Sequence, residues 1–148
     1  MKVTLNYSEN LHFLAQARRF KRIHIDEPES FSGTNLAPSP LEYVLIGIGG
    51  CIGNSFIYCL QKHNILSEKL EIVVDGKLKH SGPKYTLKLV KIDIELLFTP
   101  KSGQSKEKID LCKKIFQEYC PVSNVITKKT RLSIRIRQEQ QRKNEKSH

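Results

Sequence analysis

With 148 residues, 39% of them hydrophobic and 27% charged, the chain can bury one core of ordinary size, which excludes disorder over most of its length and leaves no room for two full cores. The formal net charge of +10 raises the question of a nucleic-acid partner, but the excess is concentrated at one end, where eight lysines and arginines from Lys128 onward meet only Glu139 and Glu145. A solvated strand face running into a polar tail accounts for that pattern, and the segment contains no Phe, Tyr or Trp on which bases could stack, so nucleic-acid binding is not expected.

The opening MKVTLNYSEN lacks the apolar stretch of a secretory signal, so a cytoplasmic, reducing location is expected. Three short strands follow one another at Lys2 to Tyr7, Leu11 to Ala17 and Phe20 to Ile25, separated by polar or turn-forming residues, as in a β-meander. Residues 26–39 are rich in Pro, Gly, Ser and Asn and read as a loop. Ser39-Pro40-Leu41-Glu42 then spells a helix start, with Ser39 as N-cap, Pro40 in the first helical position and Glu42 placed to close a capping box. The helix from Pro40 to His63 has no charged side chain between Tyr43 and Gln61 and is apolar on nearly all sides, so it must be enclosed. A membrane span is not expected, because Gly47, Gly49, Gly50 and Gly53 dilute the apolar character and amphipathic segments flank the run. Those glycines cost a helix about 1 kcal/mol each, which suggests that a close approach requires them.

Beyond a turn near Asn64, Leu70 to His80 and Tyr85 to Phe98 read as strands joined through Gly82-Pro83, the second alternating Leu87 and Leu89, then Ile92, Ile94 and Leu96, with charged neighbours. Ile109, Cys112, Ile115, Phe116 and Tyr119 recur at helical spacing between Ser105 and Tyr119. Cys120-Pro121 interrupts that helix, Val122 to Thr127 is expected to form another short one, and Arg131 to Arg137 alternates as a last strand. The expected division is a domain over residues 1–137 and a disordered basic tail over 138–148.

Four cysteines are present, Cys51, Cys59, Cys112 and Cys120, and in a reducing compartment they are chemical or buried rather than structural staples. No CxxC pair occurs and the histidines are scattered, so neither a metal nor another cofactor is expected. Cys51, in the middle of the apolar helix, suits a buried packing role as well as a chemical one. Cys120 is more suggestive: at the start of a helix, unpaired N–H groups and the positive end of the dipole favour a thiolate.

The stretch Asn35-Leu36-Ala37-Pro38-Ser39-Pro40-Leu41-Glu42, followed by Gly49-Gly50-Cys51, resembles the start of the central helix in the osmotically inducible protein C and organic hydroperoxide resistance family, and Glu118-Tyr119-Cys120-Pro121-Val122-Ser123 is similar to that family's second cysteine segment. The spelling is closest in kind to a less characterised branch. The resemblance implies an α+β fold in which curved antiparallel sheets wrap a long buried central helix, within an intertwined homodimer whose site forms at the subunit interface. A helix apolar all round agrees with cover from a second copy.

The resemblance further implies a peroxidase that reduces organic hydroperoxides in oxidative stress defence, with Cys51 peroxidatic, Cys120 resolving, Glu42 helping to organise the site and a thiol or dithiol reductant completing the cycle. The family's hydroperoxidases pair that glutamate with an arginine from an N-terminal strand. Arg18 and Arg19 stand in the corresponding region without a matching motif, and if neither reaches Cys51 its thiol stays less acidic. Cys59 and Cys112 have no counterpart and read as buried packing. The alternative is a non-enzymatic relative that binds a small hydrophobic ligand at the dimer interface, its cysteines idle.

Overall fold

The first three strands, β1 (Val3–Glu9), β2 (His12–Ala17) and β3 (Phe20–Ile25), form an antiparallel meander in the order β1-β2-β3, as their spacing predicts. This computed structural model describes residues 1–84, 86–123 and 131–138, and the chain divides into two compact units, residues 1–46 and 47–148. In the first unit, Asn10 and Arg18 take left-handed backbone angles at the tips of the two hairpins. The loop after β3 is organised by one buried carboxylate. Asp26 accepts hydrogen bonds from the Glu27 N–H at 2.9 Å, the Thr34 N–H at 3.1 Å, the Thr34 hydroxyl at 2.5 Å and the Leu36 N–H at 3.0 Å. Gly33 is needed in this loop because a Cβ there would run into the Glu27 carbonyl.

Helix α1 (Pro40–Lys62) begins at the predicted capping box: the Ser39 N–H donates to Glu42 Oε2 at 2.7 Å and the Glu42 N–H to Ser39 Oγ at 3.3 Å. The boundary between the two units falls inside this helix, between Ile46 and Gly47. In the second unit, strands β4 (Ser67–Ser81) and β5 (Thr86–Pro100) pair antiparallel over most of their length, and β6 (Arg131–Gln138) pairs parallel to β5. A wholly antiparallel sheet is expected from the resemblance. The last pairing is parallel because helix α2 (Lys106–Ile115) carries the chain back across the sheet before β6 starts, the long crossover a parallel pair needs.

On β5, Ile92, Ile94, Leu96 and Phe98 are buried while the charged Asp93 and Glu95 between them are half-buried. The change of phase in the sequence between Leu89 and Ile92 has a structural cause. Lys77 faces Lys91 but Leu78 faces Leu89, so Val90 is bulged out of register and the inward set switches parity. The cross-strand ion pair of Arg137 with Glu95, 2.5 Å, partly neutralises the basic face of β6, while Lys91 and Asp93 pair at 2.6 Å within β5.

The α1 residues of this unit lie close against β4. A Cβ at Gly49 would meet Val74 Cγ2 at 2.7 Å, and one at Gly53 would overlap the tip of Ile72, whereas Gly47 and Gly50 face open space. Two of the four glycines therefore serve the close approach. Phe56 stands edge-on to Phe98 and to Phe116, with centroids 5.3 Å apart in each case, which joins α1, β5 and the end of the α2 segment into one core. Helix α2 starts at Ser105, whose hydroxyl accepts from the Lys108 N–H, and ends at Ile115 rather than Tyr119, with Phe116–Tyr119 tightened into a 3₁₀ turn.

The expectation that the helix is enclosed on all sides is not met within one chain: Val44, Ile46 and Tyr58 are exposed, because a sheet covers only one face of a helix. α1 also has the length and composition to cross a membrane, a test that core helices pass as well. β6 runs one residue into the expected tail, and residues 139–148, like 124–127 where a short helix is expected, lie outside the described residues.

Candidate active site

Cys51 lies on α1 directly after Gly50, half-buried, and the Ser55 hydroxyl bonds its carbonyl at 2.8 Å. Cys120 follows the 3₁₀ turn, its N–H bonded to the Gln117 carbonyl at 3.0 Å. Pro121 disfavours helical angles at the residue before it, and Cys120 accordingly takes extended angles, φ −96° and ψ 110°. That bend ends the helical run and turns the thiol inward, where it is buried. The two sulfurs come within 3.2 Å although 69 residues separate them in the chain.

The pair is electrostatically asymmetric. Burial pushes the Cys51 thiol up, as does donation of its proton toward Cys120, against a smaller opposing effect of the Val122 N–H. Burial also acts against ionisation of Cys120, but the Ser123 hydroxyl, the Cys51 thiol and the N–H groups of Val122 and Ser123 together bring its pKa below the ordinary cysteine value. The Ser123 hydroxyl is buried and has no conventional hydrogen-bond partner among the described residues, so its dipole is free to favour the Cys120 thiolate. Once the pair loses its first proton, the negative charge resides preferentially on Cys120 and the remaining proton on Cys51, as two interacting groups of unequal environment require.

The other expected site residues have local roles. Glu42 closes the capping box, and its hydrogen bonds from the Ser39 N–H and hydroxyl keep its carboxyl below the usual range. Arg18 and Arg19 lie at the β2–β3 turn with their guanidinium groups 5.4 and 5.5 Å from the centre of the Phe20 ring, within cation–π range.

A second thiol pair escapes the sequence reading. Cys59 and Cys112 are fully buried, as expected of packing residues, but their sulfurs meet at 2.7 Å. Burial, together with the contact it shares with Cys59, pushes Cys112 up to about 12, so it is a poor nucleophile at neutral pH. A signal for this pairing exists in the spacing. Cys59 lies eight residues after Cys51 and Cys112 eight before Cys120, so two segments running in opposite directions that pair one couple also align the other.

The family profile described as OsmC-like protein matches residues 33–135. The chain belongs to the OsmC-like family. Solved structures of similar fold include a hypothetical protein from Aquifex aeolicus VF5, with a TM-score of 0.75 at 20% identity over 95% of this chain and 96% of that one. An OsmC-like protein from Mycoplasma pneumoniae gives 0.75 at 18% identity, covering 94% and 95%. The organic hydroperoxide resistance protein OhrB of Bacillus subtilis gives 0.61 at 18%, covering 92% and 96%. Comparison with curated proteins returns no match. These likenesses establish the α+β OsmC-like fold, with its two sheets and few helices.

Proposed function

We propose that this OsmC-like protein reduces organic hydroperoxides with Cys51 as peroxidatic and Cys120 as resolving cysteine. The observation that carries the reading is the 3.2 Å approach of two thiols whose environments differ, Cys120 being the easier to ionise. Cys120 takes the Cys51 proton across that contact, and the Cys51 thiolate attacks the distal oxygen of the hydroperoxide. The O–O bond breaks, the alcohol leaves with a proton, and Cys51, oxidised by two electrons, becomes a sulfenic acid. The Cys120 sulfur then attacks the Cys51 sulfur. The S–S bond forms, the S–O bond breaks and water leaves. A thiol or dithiol reductant returns the two electrons by exchange. Relatives of this fold that include an organic hydroperoxide resistance protein support a peroxide-related role.

The working form is a homodimer in this reading, supported by the exposed Val44, Ile46 and Tyr58 on α1, which a second copy would cover. Sedimentation should return twice the chain mass, and a stable monomer at micromolar concentration would remove that part of the proposal.

The enzymatic reading is tested by treating reduced protein with cumene hydroperoxide and counting thiols. Wild type should lose two thiols per chain and gain a Cys51–Cys120 disulfide, while Cys120→Ser should stop at a trappable sulfenic acid on Cys51. A second reading, ligand binding without chemistry, is favoured by the raised pKa of Cys51. Equal, slow thiol loss in wild type and Cys51→Ser would select it.

A further inference from the structure

Cys59 and His63 lie one turn apart on the C-terminal part of α1 and its first following residue, a spacing that stacks side chains on one helix face. Cys112 reaches the same point from α2. The two sulfurs and a ring nitrogen of His63 all lie within 4.8 Å of one another. In a tetrahedral centre with metal–sulfur bonds of about 2.3 Å and a metal–nitrogen bond of about 2.0 Å, sulfurs stand roughly 3.8 Å apart and sulfur and nitrogen roughly 3.5 Å. The three atoms, all within 4.8 Å of one another, therefore need only small movements to share one ion. The sulfurs, 2.7 Å apart, need only part by about 1 Å to admit an ion.

We propose that Cys59, His63 and Cys112 form a binding site for a thiophilic divalent cation, with Zn²⁺ the foremost candidate. Two thiolates and an imidazole without any carboxylate select such an ion over Mg²⁺, Ca²⁺ or Mn²⁺. Three protein ligands leave a fourth position for water or an external ligand. Cys59 and Cys112 are fully buried, whereas His63 is only half-buried and opens the side by which an ion enters. The site is separate from the reactive pair, because Cys59 lies eight residues beyond Cys51, about 12 Å along the helix. A bound ion ties α1 to α2, the segment that leads into Cys120, and does so whether or not the protein reduces hydroperoxides. The competing fate of the same sulfurs is a second disulfide, in which His63 has no part.

The test is titration of the full-length reduced protein with Co²⁺ under anaerobic conditions, followed by displacement with Zn²⁺. One equivalent per chain is expected, with a thiolate-to-cobalt charge-transfer band in the near ultraviolet and the visible absorption of tetrahedral cobalt. The signal should persist in the double variant Cys51→Ser, Cys120→Ser and disappear in Cys112→Ser. His63→Ala alters a half-exposed position and should keep its circular dichroism spectrum while binding at least ~10-fold more weakly. Absence of the band in reduced wild type would overturn the proposal. So would loss of the band in the Cys51, Cys120 double variant, undiminished affinity in His63→Ala, or a reduced protein that takes up no cobalt and oxidises to a Cys59–Cys112 disulfide.

Discussion

Cys51 and Cys120 face each other at 3.2 Å with their pKa values moved in opposite directions, upward at Cys51 and downward at Cys120. The first proton lost by the reduced pair therefore leaves a thiolate centred on Cys120, held there by groups from residues 122 and 123. Below that first ionisation both thiols are protonated and neither can act as base or nucleophile. The rate of hydroperoxide-dependent thiol loss should rise with pH through a value below the ordinary cysteine 9.0. In Cys120→Ser the stabilised thiolate is gone, burial still disfavours ionisation of Cys51, and the rise should move above 9.0. Stopped-flow rates across that range check the direction of the shift. An unmoved profile would mean that Cys120 does not hold the charge.

Glu42 can be separated into cap and site by one substitution. Glutamine retains an acceptor for the Ser39 N–H and loses only the added strength of a charged one, so Glu42→Gln should lower the melting temperature only slightly. Ser39→Ala removes the N-cap acceptor of the Glu42 N–H and should destabilise by about 1 kcal/mol in urea denaturation. The family resemblance gives Glu42 a part in organising the peroxide site, and on that reading Glu42→Gln should slow hydroperoxide-dependent thiol loss. Unaltered kinetics would confine Glu42 to capping.

The four bonds to Asp26, that of the Thr34 hydroxyl foremost, keep its folded-state pKa below the ordinary 3.8 against the opposing effect of burial. A depressed folded value means that its stabilisation is present above the unfolded value and fades as pH falls through the folded one. Asp26→Asn should lower the melting temperature at pH 7, because the amide N–H₂ must face either the Glu27 N–H or the Thr34 and Leu36 N–H groups where an acceptor stood. The gap from wild type should close in strong acid. Parallel melts at pH 7 and pH 2.5 measure it, and a gap independent of pH would rule out the carboxylate as the cause.

Among the glycines of α1, Gly53 and Gly50 should respond with opposite signs. Ala at Gly50 meets open space and should gain roughly 0.5–1 kcal/mol of helix propensity. Ala at Gly53 intrudes on the tip of Ile72, and overpacking costs about 1–3 kcal/mol, enough to cancel that gain or exceed it. Urea midpoints of the two variants should bracket wild type.

Periodicity and punctuation in the sequence determined the order of elements, the meander, the capping box and the two cysteine-bearing segments, because each rests on contacts within a few residues. Even the bulge at Val90 is legible as a phase change between Leu89 and Ile92. Four things depended on the tertiary structure. β6 runs parallel to β5 because of the crossover through α2. Gly49 and Gly53, not Gly47 and Gly50, meet β4. Cys120 rather than Cys51 is the more acidic thiol of the pair because groups of residues 122 and 123 favour its thiolate. Cys59, His63 and Cys112 meet although 53 residues separate the two thiols. Local pattern reports which face of an element is apolar, whereas the distance between two sulfurs is set by how two distant segments pack, and no window along the chain contains both.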